Sequence, residues 1–411
     1  MSALAVFLKD LGNEVVGSDV SEYYFTVDKL NEKEIKFYEY NKDNITNDYI
    51  YIIGHSITKQ NVEFKEILDR DLEYYYYNNF IAEFIDKKMI AVSGTHGKTT
   101  TCHLIKELSD VSYIIGCGDG YANSSEYFVL EACEYQNHFL SYEPDLLIIN
   151  NLDFDHPDFF KTKKDVINSY QKIANNSKKV LINGDDINAK KIIHSRKITF
   201  GMNNNNDYLI KIIKTNESGY TFLLKGRSIC RLLKCSLLGI HNLYNYTAAY
   251  LACIICGLKV NNFKEITYPK RRMKVYKFGE SILIDDYAHH PTEIKSLLET
   301  IKLTYPNYLI NTFFQSHTYS RTLKFKKDFK KVLKKFNKVY MLDVFTSKRE
   351  PYDKMLQKKV DRYFRKFKKY HNSDLFDVKK EEKTVWVFLG AGVANTLIDE
   401  IMTINLDNEN K

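Results

Sequence analysis

The sequence predicts an α/β protein made of successive strand–helix units around largely parallel sheets. Three observations predict it. Short apolar runs recur along the chain, separated by stretches long enough for crossover helices. A glycine-rich string, GTHGKTT (Gly94 to Thr100), stands between one such run and a helical segment. Chemistry-bearing residues gather just after the apolar runs, where parallel sheets place their ligands. At 411 residues the chain is too long for one ordinary core, and roughly two to three domains are expected.

Three blocks repeat the pattern. In the first, Met1 to Gly12 reads as a helix ended by glycine, and Glu14–Asp19, Ile35–Tyr40 and Asp48–Ser56 read as strands. Val62–Asp71 reads as a helix, and Glu73–Phe80 as a strand end and connector without clean periodicity. The second block carries strands at Lys88–Ser93, Tyr127–Ala132, Asp145–Asn150 and Lys179–Asn183. A small edge sheet is expected around Tyr220–Gly226, with a closing helix from Asn242 to Cys256. The third block begins near Asn262, with strands at Ile282–Tyr287, Tyr308–Gln315, Lys338–Phe345 and Thr384–Gly390. Helices fall between them, and a frayed tail is expected from Asn405.

Composition narrows the function classes. The chain is 44% hydrophobic and 27% charged, with a formal charge of +8. The densest lysine cluster, Lys324 to Lys338, alternates with Phe325, Phe329, Val332, Leu333 and Phe336. That is a helix with one buried and one solvated face, so no nucleic-acid partner is expected. Seven scattered cysteines suit a reducing cytoplasm, and Cys253 and Cys256 sit in a run better read as a buried helix than as a redox pair. No secretory signal or long apolar run argues for export or membrane insertion. Oligomeric state is not legible.

The loop Gly94, Thr95, His96, Gly97, Lys98, Thr99 and Thr100 is read as a phosphate-binding loop for a nucleoside triphosphate. Its glycines permit the turn, the helix N-terminus faces the phosphates, Lys98 reaches the outer ones, and Thr99 offers a magnesium ligand. Glu131 ends a strand that can face this loop. Asn151, Asp153, Asp155, His156 and Asp158 put amide, carboxylate and imidazole groups in one short loop, a supply of magnesium or phosphate-side ligands; a solvated acidic turn is the plainer reading. Asn242 and Asn245 share a helix face and can read a base edge, or Asn242 can simply cap the helix. Arg271 and Arg272 can clamp phosphate or lie on the surface. Asp285, Asp286, His289 and His290 cluster after an apolar strand, and Pro291 can open the next helix. His317 and Arg321, four apart, face one way if a helix begins there, and Arg321 can hold a small carboxylate. No serine or cysteine nucleophile system is evident; ATP-driven activation of a substrate fits better.

Taken in order, the start at Met1–Ala5, GTHGKTT, FVLEACEY, NLDFDHPD, GIHN, RRMK, IDDYAHHPTE and FQSHTYSRT resemble the Mur ligases, ATP-dependent amino-acid ligases of peptidoglycan synthesis. The resemblance spans nearly the whole chain. It implies a three-domain architecture: a truncated Rossmann-like UDP-sugar domain (1–85), a central P-loop ATPase domain (86–262) and a C-terminal Rossmann-like amino-acid domain (263–411). Carried onto this sequence, Lys98 would contact the outer phosphates, and Thr99, Glu131 and His156 would hold Mg2+. Asn242 and Asn245 would lie by the adenine, and Arg272 and Asp286 would span the closure around ATP. Tyr287, His289, His317 and Arg321 would lie near the amino acid or the sugar-borne carboxylate. The implied reaction joins L-alanine to UDP-N-acetylmuramate through an acyl phosphate, with tripeptide as a rival acceptor and a nucleotide-binding regulator as a rival of another class.

Three departures are visible. The family pattern opens with a strand and glycine loop, whereas this chain opens inside the ensuing helix, so an empty central sheet position with exposed apolar neighbours is expected. Val393 stands where many relatives have aspartate. FTSKRE (Phe345 to Glu350) lacks the glycine that commonly follows the aromatic residue.

Overall fold

A computed structural model describes residues 1–20, 25–216, 218–227, 229–261, 266–346, 350–381 and 383–409. The chain divides into two compact units. One comprises Met1–Phe154, Phe159–Leu237 and Asn242–Thr267; the other comprises Asp155–Asp158, Leu238–His241 and Tyr268–Lys411. The expected boundary between the second and third blocks falls at 262–265, outside the described residues.

The first unit opens with helix α1 (Ser2–Asp10), followed by β1 (Gly17–Asp19), α2 (Asp28–Glu32), β2 (Phe37–Glu39), β3 (Tyr51–Ile53), α3 (Val62–Asp69), β4 (Tyr74–Tyr76) and α4 (Tyr77–Phe84). The segment read as a strand end and connector is strand β4 followed directly by helix α4, in which Phe80 and Ile81 are buried and one apolar face docks on the core. Among the described residues β1 pairs with β2 and β3 with β4, both in parallel and as two separate sheets. The exposed apolar neighbours are Val16, Tyr38 and Ile50. α1 does not wait on these pairs: Ala3, Leu4 and Phe7 pack into the same core as Phe128 and Ile114, and Gly120 has no room for a Cβ against the Ala3 carbonyl.

Then come β5 (Lys88–Ser93), α5 (Lys98–Leu108), β6 (Ser112–Ile115), β7 (Asp119–Tyr121), β8 (Tyr127–Glu131), β9 (Leu146–Ile149), α6 (Lys163–Asn176), β10 (Val180–Asn183), β11 (Lys197–Gly201), β12 (Tyr208–Asn216), β13 (Gly219–Gly226), β14 (Ile229–Cys235) and α7 (Ile240–Ile255). These strands form one sheet in the order β14-β13-β12-β11-β10-β9-β5-β8-β6-β7. The run β12-β11-β10-β9-β5-β8-β6 is parallel, and β5, β8, β9 and β10 are buried along nearly their whole lengths, which is why they read as apolar runs. β13 and β14 extend the sheet beyond β12 as an antiparallel edge, as expected. β5 lies between β8 and β9, so the loop leaving it opens where the strand order diverges, the usual ligand position in such sheets.

The second unit holds β15 (Lys274–Phe278), β16 (Ser281–Asp286), α8 (Pro291–Thr304), β17 (Leu309–Phe314), α9 (Tyr319–Lys324), α10 (Lys326–Leu333), β18 (Lys338–Met341), α11 (Lys354–Phe364), β19 (Lys368–Lys369), α12 (Leu375–Lys380), β20 (Thr384–Leu389) and α13 (Thr396–Glu409). Its sheet order is β15-β16-β20-β17-β18-β19, antiparallel only at β15. The lysine-rich helix is α10, and it buries Phe329, Val332 and Leu333 as its spacing requires. The expected frayed tail is instead helical through Glu409.

Candidate active site

In the first unit the phosphate loop leaves β5 and enters α5 with Gly94 at φ +130° and Gly97 at φ +83°, conformations that favour glycine. A Cβ on Gly97 would meet the Asn245 side-chain oxygen at 2.5 Å. Asn245 therefore lies against the loop itself, with its amide nitrogen donating to Asn242 Oδ1 at 3.3 Å. Both asparagines are buried.

The loop after β9 braces this turn. His96 N–H donates to Asn151 Oδ1 at 2.9 Å while Asn151 Nδ2 donates to the His96 carbonyl at 3.0 Å. Thr95 N–H donates to the Asn151 carbonyl, and Asp153 N–H donates to Thr95 Oγ1 at 2.8 Å. Tyr170 accepts from Gly94 N–H at 3.0 Å. Asn151, expected among the metal or phosphate ligands, is in this structure a backbone clamp.

Lys98 begins α5. Its ammonium donates to the Gly94 carbonyl at 2.7 Å and to Glu134 Oε2 at 3.0 Å. Burial alone would lower its pKa, but Glu134, with smaller contributions from Tyr170, Cys133 and Glu131, outweighs that and raises it above the usual lysine range. Thr99 Oγ1 lies 3.0 Å from both Glu131 oxygens, and Gly116 N–H donates to Glu131 Oε2 at 3.0 Å. A hydroxyl and a carboxylate, both hard oxygen donors held together beside a phosphate loop, fit a magnesium ion. His156, expected as the third ligand, belongs to the second unit. Thr100 is buried.

In the second unit Arg321 is the centre of a buried network. Its Nε donates to Asp155 Oδ1 at 2.9 Å, its Nη2 to Asp155 Oδ2 at 3.1 Å, and its Nη1 to His317 Nδ1 at 3.0 Å. Both charged side chains are under a tenth exposed. Burial would raise the Asp155 pKa, but the Arg321 guanidinium overrides it and holds the carboxyl far below its usual range. Arg321 thus has an internal carboxylate partner, which sequence reasoning did not assign. His156 follows with φ +52°, its N–H on Asp155 Oδ1 at 2.7 Å.

His289 contacts the Tyr287 carbonyl through Nδ1 at 3.0 Å, and its ring stands 5.8 Å from that of His317. Burial pushes its pKa down to about 3; Glu293 opposes this, while Arg321 and His317 add to it. His289 is accordingly neutral at pH 7. Asp286 accepts from Met273 N–H and Ala288 N–H, each at 2.8 Å. Its burial raises its pKa to about 6 against the pull of Arg272. Arg272 approaches Glu293 at 3.7 Å and lies over the Tyr287 ring. Arg271 instead ties down the last glycine turn, donating to the Gly390 and Gly392 carbonyls at 3.0 and 2.9 Å. That turn keeps its shape with valine in place: Val393 N–H donates to Gln315 Oε1 at 2.7 Å. In FTSKRE, residues 347–349 lie outside the described residues.

Residues 1–89 match the model of the Mur ligase family catalytic domain, and residues 92–253 match that of the Mur ligase middle domain. A UDP-N-acetylmuramate–L-alanine ligase of Lactobacillus acidophilus is 34% identical over 408 residues, covering 95% of this chain and 93% of that protein. The chain belongs to the Mur ligase family. It is an ATP-dependent Mur ligase of the three-domain α/β architecture, with a central nucleotide-binding domain.

Solved Mur ligases share that fold. The UDP-N-acetylmuramate–alanine ligase of Thermotoga maritima superposes with a TM-score of 0.79 at 21% identity, covering 99% of this chain and 97% of that one. A murein peptide ligase of Psychrobacter arcticus gives 0.72 at 19%, covering 98% and 96%. All seven cysteines of this Mur ligase are free. Among the described residues no helix is long and apolar enough to cross a membrane.

Proposed function

We propose that this Mur ligase joins L-alanine to UDP-N-acetylmuramate at the expense of ATP, a step of peptidoglycan synthesis. What carries the reading is the identity with the Lactobacillus acidophilus L-alanine ligase, sustained over 95% of the chain. The functional division we adopt is 1–85 for the UDP-sugar, 86–262 for ATP and 263–411 for the amino acid.

The chemistry follows from the substrates. A carboxylate does not react with an amine at neutral pH because its leaving group would be oxide. Transfer of the ATP γ-phosphoryl to the lactyl carboxylate gives an acyl phosphate, and the free amine of L-alanine displaces phosphate through a tetrahedral intermediate. The N–H groups of Gly97 to Thr100 and the Lys98 ammonium would hold the triphosphate and screen the charge that spreads over the transferring group. Thr99 and Glu131 would hold magnesium, which would supply Lewis-acid screening of the phosphates. Asn242 and Asn245 would border the adenine. His289, His317 and Arg321 would lie near the incoming amino acid or the sugar-borne carboxylate. An acyl phosphate hydrolyses in water, so productive turnover needs a closed site.

Tripeptide is the rival acceptor, since a murein peptide ligase shares the fold. A scaffold that binds nucleotide without ligating is the rival of a different class, motivated by the two separate strand pairs at the amino-terminal end. Phosphate release with UDP-N-acetylmuramate and either L-alanine or tripeptide decides among them. Turnover with L-alanine is expected. Turnover with tripeptide alone would overturn the assignment, and ATP binding without any turnover would favour the scaffold.

A further inference from the structure

The loop leaving β8 carries a second glutamate that the ligase reaction above does not use. Glu131 is engaged by the Thr99 hydroxyl and Gly116 N–H. Glu134, three residues on and 3% exposed in its side chain, turns to the Lys98 ammonium instead. The backbone is forced to deliver it: Gln136 and Asn137 follow at φ +53° and +62°, left-handed values that non-glycine residues rarely adopt. Three anchors hold that conformation. Asn137 N–H donates to the Glu134 carbonyl at 3.0 Å. The Ser169 hydroxyl of α6 donates to Asn137 Oδ1. Phe139, fully buried, packs edge-on against Tyr170, the residue that also accepts from Gly94 N–H. The Glu134 loop and the phosphate loop are therefore fixed to the same tyrosine.

Glu134 puts a buried carboxylate 3.0 Å from the Lys98 ammonium, the group read as reaching the outer phosphates. A buried ammonium with no anion nearby is costly, and in the nucleotide-free protein Glu134 supplies the anion. We propose that Glu134 is a positioning residue, the resting counter-ion of Lys98, which holds the ammonium at the phosphate loop and competes with the nucleotide's outer phosphates for it. The proposal rests on reading residues 94–100 as the phosphate loop. Its consequence is a nucleotide site tuned for release: each departing ADP is replaced at Lys98 by the Glu134 carboxylate, so the ammonium is never left bare.

The test uses the full chain and two readouts that do not depend on turnover, calorimetric affinity and thermal melting, with magnesium-ADP and adenosine as probes. Glu134→Gln keeps an acceptor and removes the charge. It is expected to lower the melting temperature of the free protein yet tighten ADP by at least about fivefold, because the ammonium is freed for phosphate. Adenosine, without phosphate, is expected to bind as it does to wild type. In a Lys98→Met background the same substitution should change ADP affinity by less than about twofold. Should Glu134→Gln fail to fold, Lys98→Met carries the test: it strands a buried carboxylate, so it should melt below wild type, and Lys98→Met/Glu134→Gln should recover part of that loss. A merely structural Glu134 would weaken or leave unchanged ADP binding in Glu134→Gln, or give the same change with and without Lys98, and either result overturns the proposal. If wild type binds ADP no better than adenosine and Lys98→Met alters neither, the phosphate-loop reading itself falls, and the proposal with it.

Discussion

Removing one side of the Asp155–Arg321 pair tests whether the second unit is organised by a buried ion pair. Two parallel hydrogen bonds of 2.9 and 3.1 Å join side chains under a tenth exposed. Deleting one partner strands the other, a cost of about 3–5 kcal/mol. Asp155→Asn keeps the shape and one acceptor, so we expect about 3 kcal/mol. Trp386 is the only tryptophan, fully buried in β20 of the same unit, so its fluorescence during urea unfolding reports on that unit alone. Asp155→Asn and Arg321→Met should each lower the urea midpoint. The double variant should lose less than the sum of the two, by about 2 kcal/mol or more. The sign of the pH effect is also set. The Asp155 pKa is depressed in the fold, so its stabilisation is complete above the unfolded carboxyl value of about 4 and is lost only as pH falls below it. A loss under about 0.5 kcal/mol at pH 7, or additive single variants, would show that the pair is no more than a surface-like contact and refute the reasoning.

His289, held down to about 3 by burial, contributes stability that is full above the unfolded histidine value and is lost as pH falls from about 6.5 toward the folded value. Wild type should therefore lose about 2–3 kcal/mol more than His289→Gln between pH 7 and pH 4 in urea titrations followed at Trp386. Gly97→Ala combines φ +83° with a Cβ 2.5 Å from Asn245 Oδ1; it should cost about 1–3 kcal/mol in stability, and equilibrium titration should show ADP affinity falling well over tenfold. Glu131→Gln should reduce kcat on the order of 100-fold or more, whereas unchanged kcat at saturating magnesium would remove Glu131 from the site.

The central parallel strands were legible because burial on both faces leaves a continuous apolar signature, as in Ile90–Val92 and Leu146–Ile149. The phosphate loop was legible for a local reason: its glycines, lysine and threonine act within one turn. Pairings between distant segments left no such trace. Nothing near Asp155 announces a partner 166 residues away, and Arg321 alone reads equally well as a substrate clamp. Glu134 was hidden because the left-handed turn at Gln136 and Asn137 that aims it uses residues with no glycine signal. Asn151 is ambiguous for a related cause, since an amide that ligates a cation and one that clamps a backbone look the same in sequence. At Tyr77–Phe84 the aromatic and asparagine content obscured a helical face that only tertiary packing selects.

The most direct test of the ligase account uses UDP-N-acetylmuramate with its lactyl carboxylate enriched in oxygen-18, incubated with ATP, magnesium and L-alanine. An acyl-phosphate route requires one labelled oxygen to leave with inorganic phosphate, and mass spectrometry of that phosphate should find it in step with the ligated product. Ligation accompanied by unlabelled phosphate would contradict the account.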